Sequence, residues 1–272
     1  MTITELPMKA LSPSKIDLAG RCPAQFKHRY VLKLPEVSSG VMHGGIVFHD
    51  VMEFAQREQL LDKPIPSHKD LDDRFMETWE AKKKETEEKD NFITWEYNEG
   101  DPEANVKKGT RELVKLACDE VLPHVRPKLV EEKFYFEVDR NGSGPFRVYG
   151  RIDYMDEDLV LADWKTAKDK VSKFAEKAGI QMACYGVFHH EYTGAEVTEA
   201  KKIFLVRKVR KHKVEVRKYT ITHAYREWAK NAAAETWKMV KGDSYPPNTA
   251  GWWCSQKYCS FYDFCRGEVE SV

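Results

Sequence analysis

Residues Gly150 to Lys165, GRIDYMDEDLVLADWK, decide how the rest of the chain is read. Two short runs flank the acidic triplet Asp156-Glu157-Asp158, a pattern that predicts two strands joined by a turn. Side chains alternate along a strand, so Tyr149, Arg151, Asp153 and Met155 share one face, and Leu159, Leu161, Asp163 and Lys165 share a face of the next. If the triplet is a three-residue turn, Asp153 lies opposite Leu161, and Asp163 is its diagonal neighbour roughly 7–8 Å away on the same face. A two-residue turn would break that match. Two carboxylates so placed repel unless a divalent cation lies between them. The stretch therefore implies an oxygen-ligated metal with a lysine beside it, chemistry suited to hydrolysis at phosphate. Either half alone, D-x-K or G-x-x-D, more often marks a solvated strand end.

With 272 residues, 42% of them hydrophobic, the chain can bury a core for one large domain with insertions. Lys and Arg together number 44, as do Asp and Glu, so net charge does not point to a nucleic-acid partner and only its distribution is informative. Residues 69–103 are rich in acids, whereas 201–218, KKIFLVRKVRKHKVEVRK, carry nine Lys and Arg against one glutamate. That run is either a lysine-protected strand edge or a surface that tracks a phosphate backbone. No apolar leader or membrane-length stretch is present, which predicts a soluble, cytoplasmic protein with no membrane partner. In that compartment six cysteines are not a disulfide framework, and metal binding is the leading explanation for any that cluster.

In chain order, Ser12 and Ser14 precede a helical pattern through Tyr30, interrupted at Cys22-Pro23. After the flexible VSSG, a second helix is expected from Gly44 or Gly45 to Leu61, with a stripe of Val47, Phe48, Val51, Phe54 and Ala55 and with His49 at its edge. Residues 67–123 read as a helical insertion of two helices, in which Cys118 packs as a small hydrophobe. The period then changes to two, predicting strands over 129–138 and 146–155 that form a three-stranded antiparallel unit with the second run of the opening stretch. Glu131 or Glu132 is a further acidic neighbour of the site or, more simply, a strand-end glutamate. A helix over 173–190 places Gln181 and Tyr185 on one face, with Cys184 in the packing. Two basic strands over 201–219 follow, then a helix over 222–240 packing Tyr225, Trp228, Ala232 and Trp237. The tail, 245–272, has few regular-structure signals and carries Cys254, Cys259 and Cys265 within twelve residues. Cys22, at its own helix break, is the best-placed fourth thiolate for an iron–sulfur cluster or a zinc.

Taken together, LSPSKIDLAGRCPAQFKHRYV, GGIVFHDVME, GRIDYMD, LADWKTAK, QMACY and WWCSQKYCSFYDFCRG span most of the chain. In this order they resemble the RecB-like branch of the PD-(D/E)XK nucleases, and within it the iron–sulfur exonucleases that include CRISPR-associated adaptation nucleases, the AddB nuclease domain and phage-encoded relatives. The resemblance implies an α/β restriction-endonuclease-like core, a central mixed sheet flanked by helices, with an iron–sulfur-stapled tail. It implies that His49, Asp153, Asp163 and the Trp164 carbonyl ligate Mg²⁺ or Mn²⁺, that Lys165 positions water or stabilises developing charge, and that Gln181 and Tyr185 match the family's Q-x-x-x-Y pair. Cys22, Cys254, Cys259 and Cys265 match the ligands of a [4Fe–4S] cluster, with zinc the alternative occupant. The activity implied is exonucleolytic cleavage of DNA at single-stranded ends, in replication, recombination, repair or phage DNA processing. The alternatives are a structure-selective endonuclease, a CRISPR adaptation trimmer, or a non-catalytic DNA-binding assembly subunit with a zinc-bound tail. Two departures from the family pattern stand out: Ile152 replaces the proline before the first acid, and Asp163 replaces the commoner glutamate.

Overall fold

Residues 8–88, 92–95, 102–168, 170–171, 177–208 and 211–270 are described by the computed structural model. The chain runs β1 (Ala10–Leu11), α1 (Pro13–Arg21), α2 (Pro23–Phe26), a π-helical turn at Lys27–Val31, β2 (Val37–Ser39), α3 (Gly40–Leu60), α4 (His68–Glu87), β3 (Phe92–Thr94) and α5 (Glu103–Glu120). It continues through β4 (Pro127–Val130), β5 (Lys133–Val138), β6 (Phe146–Arg151), β7 (Tyr154–Asp156), β8 (Leu161–Lys168), α6 (Gly179–Thr193), β9 (Thr198–Arg207), β10 (Lys213–Ile221), α7 (His223–Lys241) and α8 (Tyr262–Glu270). A mixed five-stranded sheet has the order β10-β9-β8-β7-β4, with β8 and β9 parallel and the other pairs antiparallel. A three-stranded sheet has the order β1-β6-β5.

Apolar residues on the two faces of these strands fall into two cores. Met155, Leu161 and Ala200 pack with α1, α6 and α7, while Tyr154, Ala162, Trp164, Ile203 and Leu205 pack with α3, α4 and α5. The period of two thus separates Leu161, Asp163 and Lys165 from Ala162 and Trp164, and sends the first set toward α6. This is the α/β sheet flanked by helices that the sequence predicts. Among the described residues no helix is long and apolar enough to cross a membrane.

Several expectations need correcting. The two long strands predicted over 129–138 and 146–155 are each broken, between β4 and β5 at Glu131-Glu132 and between β6 and β7 at Ile152-Asp153. Hydrogen bonds from Glu131 N–H to the Asp153 carbonyl (2.9 Å) and from Ile152 N–H to the Glu132 carbonyl (3.1 Å) hold the two halves together through the break. Glu131 sits there at φ 52°, a left-handed conformation that costs a non-glycine residue about 1–2 kcal/mol. The turn of the opening stretch is also one residue later than the acidic triplet. Asp156 takes the Val160 N–H on its side chain (2.8 Å), and Leu159, at φ 62°, leaves the strand to close the turn.

Helix α3 begins four residues before Gly44, because Ser39 accepts the Met42 N–H (3.2 Å) and caps it, and Gly40 passes so near Trp95 that a Cβ there would lie 2.3 Å from the ring. Helix α6 starts at Gly179 rather than 173, and residues 172–176 lie outside the described set. On α7 the buried stripe is Ala229, Ala233, Ala234, Trp237 and Val240, which leaves the expected core residue Trp228 46% exposed. The tail contains a helix, α8, that its sequence did not announce.

Candidate active site

Strand β8 supplies the centre of the site. Met155 pairs with Leu161 and Tyr154 with Ala162, so Leu161 stands opposite Met155 and not opposite Asp153, as a three-residue turn at the acidic triplet would require. Asp153 accepts the Trp164 N–H at 2.7 Å. Asp163 is fully buried and holds the Lys165 ammonium at 2.8 and 2.7 Å from its two oxygens. From α6, Gln181 accepts from Lys165 (3.3 Å) and donates to the Tyr185 hydroxyl (2.8 Å), which donates to the Arg151 carbonyl (2.9 Å). The Q-x-x-x-Y pair thus fixes the lysine from one side and the β6 backbone from the other. Burial, and next the Asp153 charge, push the Tyr185 phenol well above its ordinary value, so it remains a donor.

His49 reaches Asp153 from α3, Nδ1 to Oδ2 at 3.4 Å. The third group beside them is Glu131, not Asp163: one ligand atom each from His49, Glu131 and Asp153 lie within 4.8 Å of one another. Sequence reasoning weighed Glu131 and favoured a strand-end role. The break that turns it inward carries no glycine or proline signal, and only the Glu131-Glu132 pair between two alternating runs hinted at it.

The electrostatics of these acids test whether a cation belongs here. Burial, then the Asp163 charge, raise the Asp153 carboxyl to about 6. Burial, then Asp153, raise Glu131 to about 7 although the Arg151 guanidinium lies against it. The chain's own cations leave these acids under-neutralised, and a set of carboxylates with a histidine nitrogen fits a divalent ion.

Beside Gln181 and Tyr185 opens a cavity of about 430 Å³, lined also by Ser12, Ser14, Arg151 and Lys202. Lys202 donates to the Ala178 carbonyl (2.7 Å), and burial lowers its pKa. Several charges of the basic run have acidic partners, and residues 209–210 of it lie outside the described set. Lys201 pairs with Asp156, while Lys213 and Arg217 both pair with Glu215.

The four expected cysteines come together as a second group. Cys22, which ends α1 and precedes α2, lines a cavity of about 80 Å³ with Cys254, Cys259 and Cys265, all as free thiols. Asn248 donates its N–H to Cys22 Sγ (3.5 Å) and its side-chain amide to the Arg21 carbonyl (2.9 Å). Burial raises the Cys259 thiol, with the other three adding to the effect. Such a thiol set with an N–H donor at one sulfur fits a thiolate-ligated metal. Cys118 and Cys184 are buried elsewhere.

Residues 10–266 match the family model of the PD-(D/E)XK nuclease superfamily. No curated protein sequence matches the chain. Among solved structures, the fold is similar to a protein from Eubacterium rectale provisionally designated an exonuclease, with TM-score 0.56, 13% identity and coverage of 90% of this chain and 87% of that one. The crystal structure of SSO0001 is more distant, with TM-score 0.37 and 15% identity over 61% of this chain and 78% of that one.

Proposed function

We propose that this chain, which belongs to the PD-(D/E)XK nuclease superfamily, is a metal-dependent deoxyribonuclease that shortens DNA from single-stranded ends, in the manner of the RecB-like iron–sulfur exonucleases. The observation that carries the reading is the convergence of Asp163 and Lys165 with Gln181 and Tyr185, and of Asp153 with His49 and Glu131. Asp153, Asp163, Glu131 and His49, with the Trp164 carbonyl, would hold Mg²⁺ or Mn²⁺. When bound, such an ion lowers the pKa of water and offsets charge on the phosphate. Lys165 presents its ammonium where negative charge develops in the transition state. Gln181 and Tyr185 keep that ammonium in place, and the cavity beside them, with Lys202 and the two serines, offers the strand a polar seat.

Cys22, Cys254, Cys259 and Cys265 are proposed to hold a [4Fe–4S] cluster with a structural role. The staple matters to the site because α1 joins Cys22 to Ser12 and Ser14 at the cavity.

The deciding experiment is incubation of end-labelled linear single-stranded, duplex and circular DNA with Mn²⁺ or Mg²⁺, with Asp163→Ala in parallel. Metal-dependent shortening of linear single strands, absent in the variant, supports the exonuclease. Cutting of circles replaces it with an endonuclease, and DNA binding without cleavage replaces it with a non-catalytic assembly subunit.

A further inference from the structure

The β5–β6 hairpin is two-faced. Phe134, Phe136, Val138, Phe146 and Val148 are buried, while the opposite face exposes three cross-strand pairs: Glu137 with Arg147, Tyr135 with Tyr149, and Lys133 with Arg151. The tyrosines are 52% and 45% exposed, their ring centroids are 5.6 Å apart, and the Arg147 guanidinium lies 4.9 Å from the Tyr135 centroid. A cross-strand aromatic pair steadies any hairpin. This one also leads somewhere. The row of pairs ends at Arg151, whose guanidinium contacts Glu131 and whose carbonyl holds Tyr185. Three cations, Lys133, Arg147 and Arg151, stand against two glutamates, Glu137 paired with Arg147 at 2.9 Å and Glu131 with Arg151. The face therefore combines exposed π-surfaces with net positive charge, the combination that holds unpaired bases and their phosphates. Duplex DNA hides its base faces in the stack and cannot use the rings.

We propose that the exposed face of this hairpin is a stacking surface for unpaired bases that leads one DNA strand to Asp153, a proposal that rests on the nuclease reading above. Tyr149 precedes Asp153 by four residues, a reach of at most about 13 Å, which places the stacked bases within about two nucleotides of the reacting phosphate.

The test is fluorescence anisotropy of a labelled 12-nucleotide dT strand in EDTA, where no cleavage occurs, with wild type, Tyr135→Ser, Tyr149→Ser, Tyr135→Phe and Arg147→Gln, each checked for an unchanged melting curve. Each serine variant should bind about fivefold or more weakly at any salt concentration, and Tyr135→Phe should keep its affinity. Arg147→Gln should lower the slope of log affinity against log salt by about 0.7. A strand with abasic sites at the stacked positions should bind wild type as weakly as the dT strand binds the serine variants. Unchanged affinity in folded serine variants, a loss that phenylalanine does not prevent, or no binding by wild type overturns the proposal. Cleavage is read separately with Mn²⁺. Tyrosine-dependent binding by a protein that cleaves nothing leaves this surface standing and removes the nuclease, whereas cleavage with tyrosine-independent binding does the reverse.

Discussion

Replacing Asp153 by asparagine should stabilise the metal-free protein while abolishing its activity. The wild-type carboxyl is 8% exposed and titrates at about 6 instead of 3.8, because burial and the Asp163 charge disfavour its ionised form. The folded state then binds the proton more tightly than the unfolded state, so stability falls as pH rises from about 4 through about 6. That difference corresponds to about 3 kcal/mol at pH 8, and to about half as much at pH 5, where the folded carboxyl is still mostly protonated. Asparagine carries no charge and keeps an oxygen for the Trp164 N–H that Asp153 now accepts. In EDTA the variant should melt roughly 4–10 °C above wild type at pH 8, with the margin about halved at pH 5. Divalent cation at about 1,000 times its Kd should reverse the order, since it adds about 4.1 kcal/mol to the form that binds it, more than the margin at pH 8. Thermal melts at both pH values, with EDTA and with Mn²⁺, provide the assay. A variant less stable than wild type in EDTA at pH 8, or a margin independent of pH, would refute the reasoning.

Three further outcomes are expected. Glu131→Gln should weaken the Mn²⁺-induced rise in melting temperature and shift it to higher metal concentration, whereas an unchanged titration would exclude Glu131 from the ligand set. Tyr185→Phe removes the acceptor of the Gln181 amide and the donor to the Arg151 carbonyl. It should cost about 1–3 kcal/mol in stability and lower kcat more than it raises KM in steady-state cleavage. Cys259→Ser should yield a colourless protein with a lowered melting temperature, while Cys118→Ala should remain brown and lose only about 1 kcal/mol; absorbance and melting curves of purified protein check both.

The side-chain alternation of 150–165 was legible because a buried sheet face enforces the period of two, and it put Asp163 and Lys165 together. The helix period likewise put Gln181 four residues from Tyr185, and the proline after Cys22 marked the break where that thiol meets the tail. What could not be read was backbone conformation without a residue signature. Glu131 and Leu159 adopt left-handed φ without being glycine or asparagine, so the strand break and the shifted turn were invisible, and with them the pairing of Met155 instead of Asp153 with Leu161. Charge runs are read incompletely for a related reason. Composition records lysines, but the fold decides which of them meet a glutamate, as Lys213 and Arg217 do at Glu215.

The central claim is that this carboxylate and lysine constellation hydrolyses DNA. Single-turnover cleavage of a labelled single strand by wild type and Lys165→Ala, with saturating Mn²⁺ and equal bound DNA, tests it most directly. The Asp163–Lys165 pair predicts a rate at least about 10²-fold lower in the variant with binding retained. Equal rates from the two proteins would contradict the account.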